Sequence, residues 1–182
     1  MTSEDTRARI RVAAATVIER DGAANLTLAK VAEAAGISKG GLLYHYPSKE
    51  ALLEGLLGHL LESRAAIVEE LSSGHGDGQA TLLDALIDAD FDFPDHERIM
   101  AQGLIAASAE NPELLAPARE HVSALFAALG KPARNAAQAQ TILLASQGLQ
   151  FLELLGLLSL STSERNHLRK HLKALSRELA PC

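Results

Sequence analysis

The chain has one cysteine, Cys182, and no tryptophan. A single thiol forms no internal disulfide, which excludes a disulfide-stapled scaffold. Aromatic residues are only 3% of the 182. Valine and isoleucine are sparse, and leucine and alanine, both good helix formers, supply most of the 47% hydrophobic content. Extended sheet is therefore disfavoured, and an all-α fold is expected. The N-terminal stretch MTSEDTRARIRV carries acids and no long apolar run, so it does not read as a signal peptide. In the most apolar window, residues 142–161, Gln147, Gln150 and Glu153 break the run, so no membrane span is expected and the location reads as cytoplasmic. There is no nucleophile elbow, glycine-rich phosphate loop or metal-ligand cluster. Catalysis lacks support, and no cofactor or metal is expected.

The net charge is −6, which alone argues against a nucleic-acid partner. Its distribution argues otherwise. Residues 1–50 hold seven Lys/Arg and six acids, for +1, whereas the rest of the chain holds ten and seventeen, for −7. The chain thus divides into two electrostatically distinct parts.

Apolar spacing and capping residues predict about nine helices. The first covers about 6–20, with Ile10, Ala14, Val17 and Ile18 on one face. The second is capped by Thr27 and stopped by Gly36. Ser38 caps a third, which runs to about His45. Pro47 ends it, and Ser48 caps a long fourth that carries a leucine stripe. A glycine-rich break is expected over 72–79. Further helices are expected over about 79–93, 95–110, 112–129 (kinked by Pro117) and 132–160. A capping box, Ser161 to Glu164, opens the last helix, which ends near Leu179.

A helix, the turn Ala35-Gly36-Ile37, and a second helix have the spacing of a helix-turn-helix. In that motif the second helix lies in the major groove of DNA. Gly40 and Gly41 fall in its first turn, where a missing side chain lets the backbone approach the duplex. Tyr44 and His45 stand where O–H and N–H groups reach phosphates. Lys49 opens the next helix beside free backbone N–H groups. The alternative reading is that the glycines permit helix packing, the tyrosines are half-buried and the lysine is merely solvated.

These residues also carry a resemblance. LTLAKVAEAAGISKGGLLYHYPSKEALL, residues 26–53, resembles the DNA-binding domain of the tetracycline-repressor (TetR) family, and the preceding helix fits it through Arg9, Ile10, Ala13, Ala14 and Gly22. The match covers about residues 5–65. It implies an all-helical homodimer on a palindromic double-stranded operator. Residues 1–50 and the start of the fourth helix would bind DNA, and residues 51–182 would bind a small effector and dimerise through the last two helices. Thr27, Ser38, Lys39, Gly40, Tyr44, His45 and Lys49 match family positions near DNA. Tyr46 replaces the more usual phenylalanine, and Gly41 stands where a side chain is usual. The implied function is a repressor released by an effector. An activator, an effector-independent regulator, and a helical scaffold or enzyme are the rivals.

Other clusters read more plainly. Leu149 and Leu152 on the eighth helix, with Leu168, Leu172 and Leu175 on the ninth, are candidates for the dimer interface. Phe91, Phe93, Met100, Phe126 and Phe151 either line an effector cavity or fill the core. The shortage of aromatics suggests aliphatic walls and a mostly apolar effector. Asp84, Asp88 and Asp92, spaced by four, read as a solvated face. His167 and His171 read as exposed histidines on a basic helix.

Overall fold

A computed structural model describes residues 2–73, 79–131 and 135–179. Most of the expected glycine-rich break, the expected helix start at Pro132, and Cys182 lie outside the described residues. The described residues form nine α-helices: α1 (Ser3–Asp21), α2 (Leu28–Ala34), α3 (Lys39–His45), α4 (Lys49–Ser72), α5 (Gln79–Phe91), α6 (Asp95–Ser108), α7 (Ala116–Leu129), α8 (Ala136–Leu154) and α9 (Thr162–Arg177). Short 3₁₀ turns at Ala23–Asn25 and Pro112–Leu115 join some of them. No strand occurs among the described residues.

Local chemistry sets the helix ends. α1 starts earlier than expected because Thr2 and Asp5 form a reciprocal capping box. Gly36 ends α2 at a φ of +63°, a conformation costly for any residue with a side chain, and the Ile37 N–H bonds back to Ala32 O at 3.0 Å. Pro117 causes no kink. α7 begins at Ala116 after a 3₁₀ turn, so Pro117 sits in the first helical turn, where its missing N–H has no partner to lose. α8 stops at Leu154 rather than near 160. Gly156 takes a φ of +67°, and Leu157 N–H bonds to Leu152 O at 2.9 Å.

The chain divides into two compact units, which differ from a simple split at residue 50. The first comprises residues 1–61 and 94–119, and the second 62–93 and 120–182. Segment 94–119 joins the first because α6 buries Met100 and Leu104 in the core made by Ile10, Val17, Leu26 and Leu56. Gly103 is what lets α6 approach: a Cβ there would lie 2.8 Å from Ile18 Cγ2.

The second unit packs Leu83, Leu86, Ile87 and Phe91 of α5 against Ile142 and Leu143 of α8 and Leu172 of α9. The aspartates of α5 are not a solvated face. Asp88 accepts from Arg169 Nε at 2.8 Å and Lys173 Nζ at 2.5 Å. Arg169 also clamps Asp92 through two N–H groups, at 2.8 and 2.6 Å, and Arg177 lies 3.5 Å from Asp84. The four-residue spacing puts these acids on one helix face, and α9 presents its cations to that face. Asp90, between them, is only 1% exposed. It pairs with Arg64 and accepts a 2.6 Å bond from Ser146 Oγ, as a buried carboxylate must.

Candidate nucleic-acid interface

The first unit presents α3 on a fixed base. Leu42 and Tyr46 are buried, and Ile37 packs into the angle of the turn. Arg9 Nη2 donates to Ala35 O at 2.6 Å, tying α1 to the end of α2. Tyr46 fits because position 55 is glycine: a Cβ there would lie 2.5 Å from Tyr46 Cε1.

What remains outward on α3 is Lys39, Gly40, Leu43 and Tyr44. Tyr44 is 84% exposed and meets the His45 ring edge-to-face, with centroids 5.2 Å apart. A large aromatic this exposed at the end of a short helix has nothing of its own chain to cover it. Leu43 belongs to the same surface and escapes the sequence reading, although its position one turn after Lys39 and Gly40 is the available signal.

The two glycines differ. A Cβ on Gly40 would meet nothing within 4 Å, so packing does not require a glycine there. A Cβ on Gly41 would lie 3.2 Å from Ser38 Oγ, the oxygen that caps the helix through a 3.0 Å bond from Gly41 N–H.

Thr27 and Ser38 are engaged as caps. Thr27 Oγ1 accepts from Lys30 N–H at 3.3 Å, and Lys30 itself pairs with Asp21 at 2.8 Å. Arg20 also binds Asp21. The Arg20 hydrogen bond, followed by that of Lys30, holds the Asp21 carboxyl far below the usual carboxylate range. Lys49 is half-buried at the start of α4. The N–H groups beside it are less available than expected, because Ser48 Oγ accepts from Ala51 N–H at 3.1 Å. The Glu50 carboxyl is lowered first by its own backbone N–H and then by Ser48.

The first unit carries a capped helix-turn-helix with an exposed second helix, and the chain's sequence matches cover that motif. Residues 10–56 match the family of bacterial regulatory proteins named for tetR, and residues 80–177 match the tetracyclin repressor-like C-terminal domain. The chain belongs to the TetR family. Members are DNA-binding transcriptional regulators, not enzymes. The HTH-type transcriptional regulator TtgR of Pseudomonas putida is 38% identical over 61 residues, 34% of this chain. That match spans 29% of TtgR, under a third of its length. A Rhodococcus sp. structure classed as a TetR-family regulator superposes with a TM-score of 0.73 at 24% identity, covering 96% of this chain and 98% of the other. The multidrug binding protein EbrR, complexed with ethidium, superposes at 0.62 with 24% identity, covering 93% and 98%.

The other candidate residues of this TetR-family chain scatter. Met100 lies in the core of the first unit, and Phe91 and Phe126 lie in or against that of the second. Phe93 is half-buried and Phe151 is exposed, so the five do not line one cavity within either unit. Leu172 is buried in its own unit, and Leu149 and Leu175 are partly buried against the same cluster. Leu152 and Leu168 are exposed. Leu144, Phe151 and Leu152 are exposed on α8, as is Leu155 at its C-cap. Positions 144, 151, 152 and 155 form one helical stripe, a spacing readable in the sequence. His167 and His171 are exposed on α9. No group of three metal-donor side chains occurs among the described residues, and none of their helices is long and apolar enough to cross a membrane.

Proposed function

We propose that this regulator is a cytoplasmic repressor, a homodimer on a palindromic operator, released by a small molecule bound in its second unit. The observation that carries the DNA half is the open space over Gly40 beside exposed Lys39 and Tyr44. Lys39 reads a base edge, Gly40 brings the backbone near the groove, and Tyr44, His45 and Lys49 hold phosphates. Thr27 and Ser38 act there through the helix ends they fix.

The apolar stripe of α8, with Leu168 of α9, supports the homodimer, since a large unpartnered apolar surface favours association. Release is a population shift. The effector favours dimers whose two α3 helices do not match successive major grooves, through α4, which supplies residues to both units. The ethidium complex of EbrR supports a mostly apolar effector. The buried Asp90, Arg64 and Ser146 add a polar requirement that the expectation of aliphatic walls omitted.

The test is selection of bound duplexes from a random pool, followed by titration at several salt concentrations. A palindromic site is expected, with Lys49→Ala lowering the salt slope by about one unit. Sedimentation should give a dimer that Leu152→Glu converts to monomer. Binding that ignores salt, or a wild-type monomer at micromolar concentration, would defeat the reading.

A further inference from the structure

The first unit contains a cleft of about 490 Å³ between α1, α4 and α6, on the side of α1 away from its buried core residues. All of its lining belongs to that one unit. Val12 of α1 is 66% exposed on its wall, an unusual position for a valine in a helix otherwise packed on one side. Met100 of α6 forms part of the opposite wall.

The polar lining is sorted by charge along the cleft. α1 and α6 run in the same direction. Gly103 abuts Ile18, and further along, Ala106 and Ala107 share a smaller cavity with Ala23 and Ala24. Two turns before the Gly103–Ile18 contact, the same register places His96 beside Arg11. His59 of α4 acts on Glu4, the partner of Arg11, and so stands at the same end. Arg11, His59 and His96 therefore gather at one end of the cleft. Glu19 lies at the other, about 12 Å along the helix from Arg11. Arg11 is paired with Glu4 at 2.9 Å; the Arg11 side chain is largely covered, while Glu4 is mostly exposed, so Glu4 is the partner that a ligand carboxylate would displace from a guanidinium held in place by its surroundings.

We infer that this cleft binds an apolar molecule bearing a single carboxylate. Its head group rests on Arg11, His59 and His96, and its apolar body runs between Val12 and Met100. A charge-assisted bond to Arg11 fixes the orientation, and Glu19 excludes a second negative charge from the far end. This site lies in the DNA-binding unit and is separate from any effector site in the second unit.

The probe is decanoate, whose extended chain is comparable in length to the separation of Arg11 and Glu19. It is compared with 1-decanol and decyltrimethylammonium by calorimetric titration on the full chain. Decanoate should bind saturably and best of the three. Arg11→Gln and Val12→Glu should each weaken it by at least about tenfold, the first by removing the charge-assisted bond and the second by placing a carboxylate in the wall. Both variants should keep the wild-type melting temperature without ligand and the wild-type operator affinity. If Val12→Glu fails to fold, Val12→Thr serves, with a smaller loss. Tighter binding of the cation, absence of decanoate binding, or equal binding by wild type and both variants would overturn the assignment, the last outcome placing the ligand elsewhere. Because operator affinity is read separately, failure of the cleft does not touch the DNA-binding reading, or the reverse.

Discussion

Replacing Gly40 by alanine and then by leucine separates two reasons for a glycine at the front of a helix. In the free protein alanine meets no obstacle, since the added Cβ has no neighbour within 4 Å, and leucine starts from the same open position. Alanine should instead stabilise. The helix-interior advantage over glycine is about 1 kcal/mol and is smaller in a first turn, so about 0.5 kcal/mol is expected. For a chain of this length that raises Tm by about 1–2 °C. On DNA the sign reverses. If α3 lies in the groove as proposed, a side chain at position 40 would hold it off and lengthen the reach of Lys39 and Tyr44. Losing a base-edge contact costs about 1–3 kcal/mol and a phosphate contact about 1 kcal/mol. Operator affinity should therefore fall by about 30- to 1000-fold for leucine, and less for alanine. Thermal melting by circular dichroism and anisotropy on a labelled operator duplex, at one salt concentration, read the two effects separately. A lowered Tm with unchanged affinity would mean that the glycine serves packing after all. Unchanged Tm and unchanged affinity would mean that α3 is not the element approaching DNA.

Gly55→Ala should do the opposite, at a position that faces a buried ring. The added Cβ would lie 2.5 Å from Tyr46 Cε1, and overpacking of about 1–3 kcal/mol should outweigh the helix gain, whereas in a Tyr46→Ala background the same change should be neutral or stabilising. Asp88→Ala should destabilise by about 1–3 kcal/mol, because it leaves Arg169 and Lys173 without their shared, largely buried acceptor; chemical denaturation in urea checks this, and Arg169 and Lys173 changed to methionine with it should recover part of the loss. His121 is pushed below its ordinary value of 6.5, first by burial and then by the Arg64 charge. Its neutral form is the one the fold favours, so this contribution is complete above about pH 6.5 and is lost as pH falls below it, where the unfolded chain binds the extra proton. His121→Gln should flatten the decline of Tm between about pH 6.5 and 5, and an unchanged slope would refute the assignment.

The helix-turn-helix was legible because every signal in it is local. Thr27 and Ser38 bond to backbone groups three residues on, and Gly36 is required by the φ of a single residue. The same kind of signal is present at Thr2 and Asp5, and α1 accordingly begins earlier than its apolar face suggests. The membership of α6 in the first unit was not legible, because it depends on Gly103 facing Ile18, a residue distant in the chain. A glycine in a helix indicates a close approach without naming what approaches.

Polar residues of the second unit carry this further. Asp84, Asp88 and Asp90 of α5 and Asp92 just past its end look alike in sequence, two or four residues apart. Their environments differ because the helix turns them toward different neighbours: 84, 88 and 92 fall together beside the cations of α9, and 90 is rotated about 200° from 88, toward Arg64 and Ser146. Periodicity could have predicted that Asp90 departs from the row. It could not supply the partners of that carboxylate, since Arg64 comes from α4, well before it in the chain, and Ser146 from α8, well after. A buried charge needs such partners whatever their place in the chain. The mainly aliphatic interior of the second unit therefore also holds a buried polar network, and any molecule entering it must either leave the Asp90 network intact or replace its hydrogen bonds in kind.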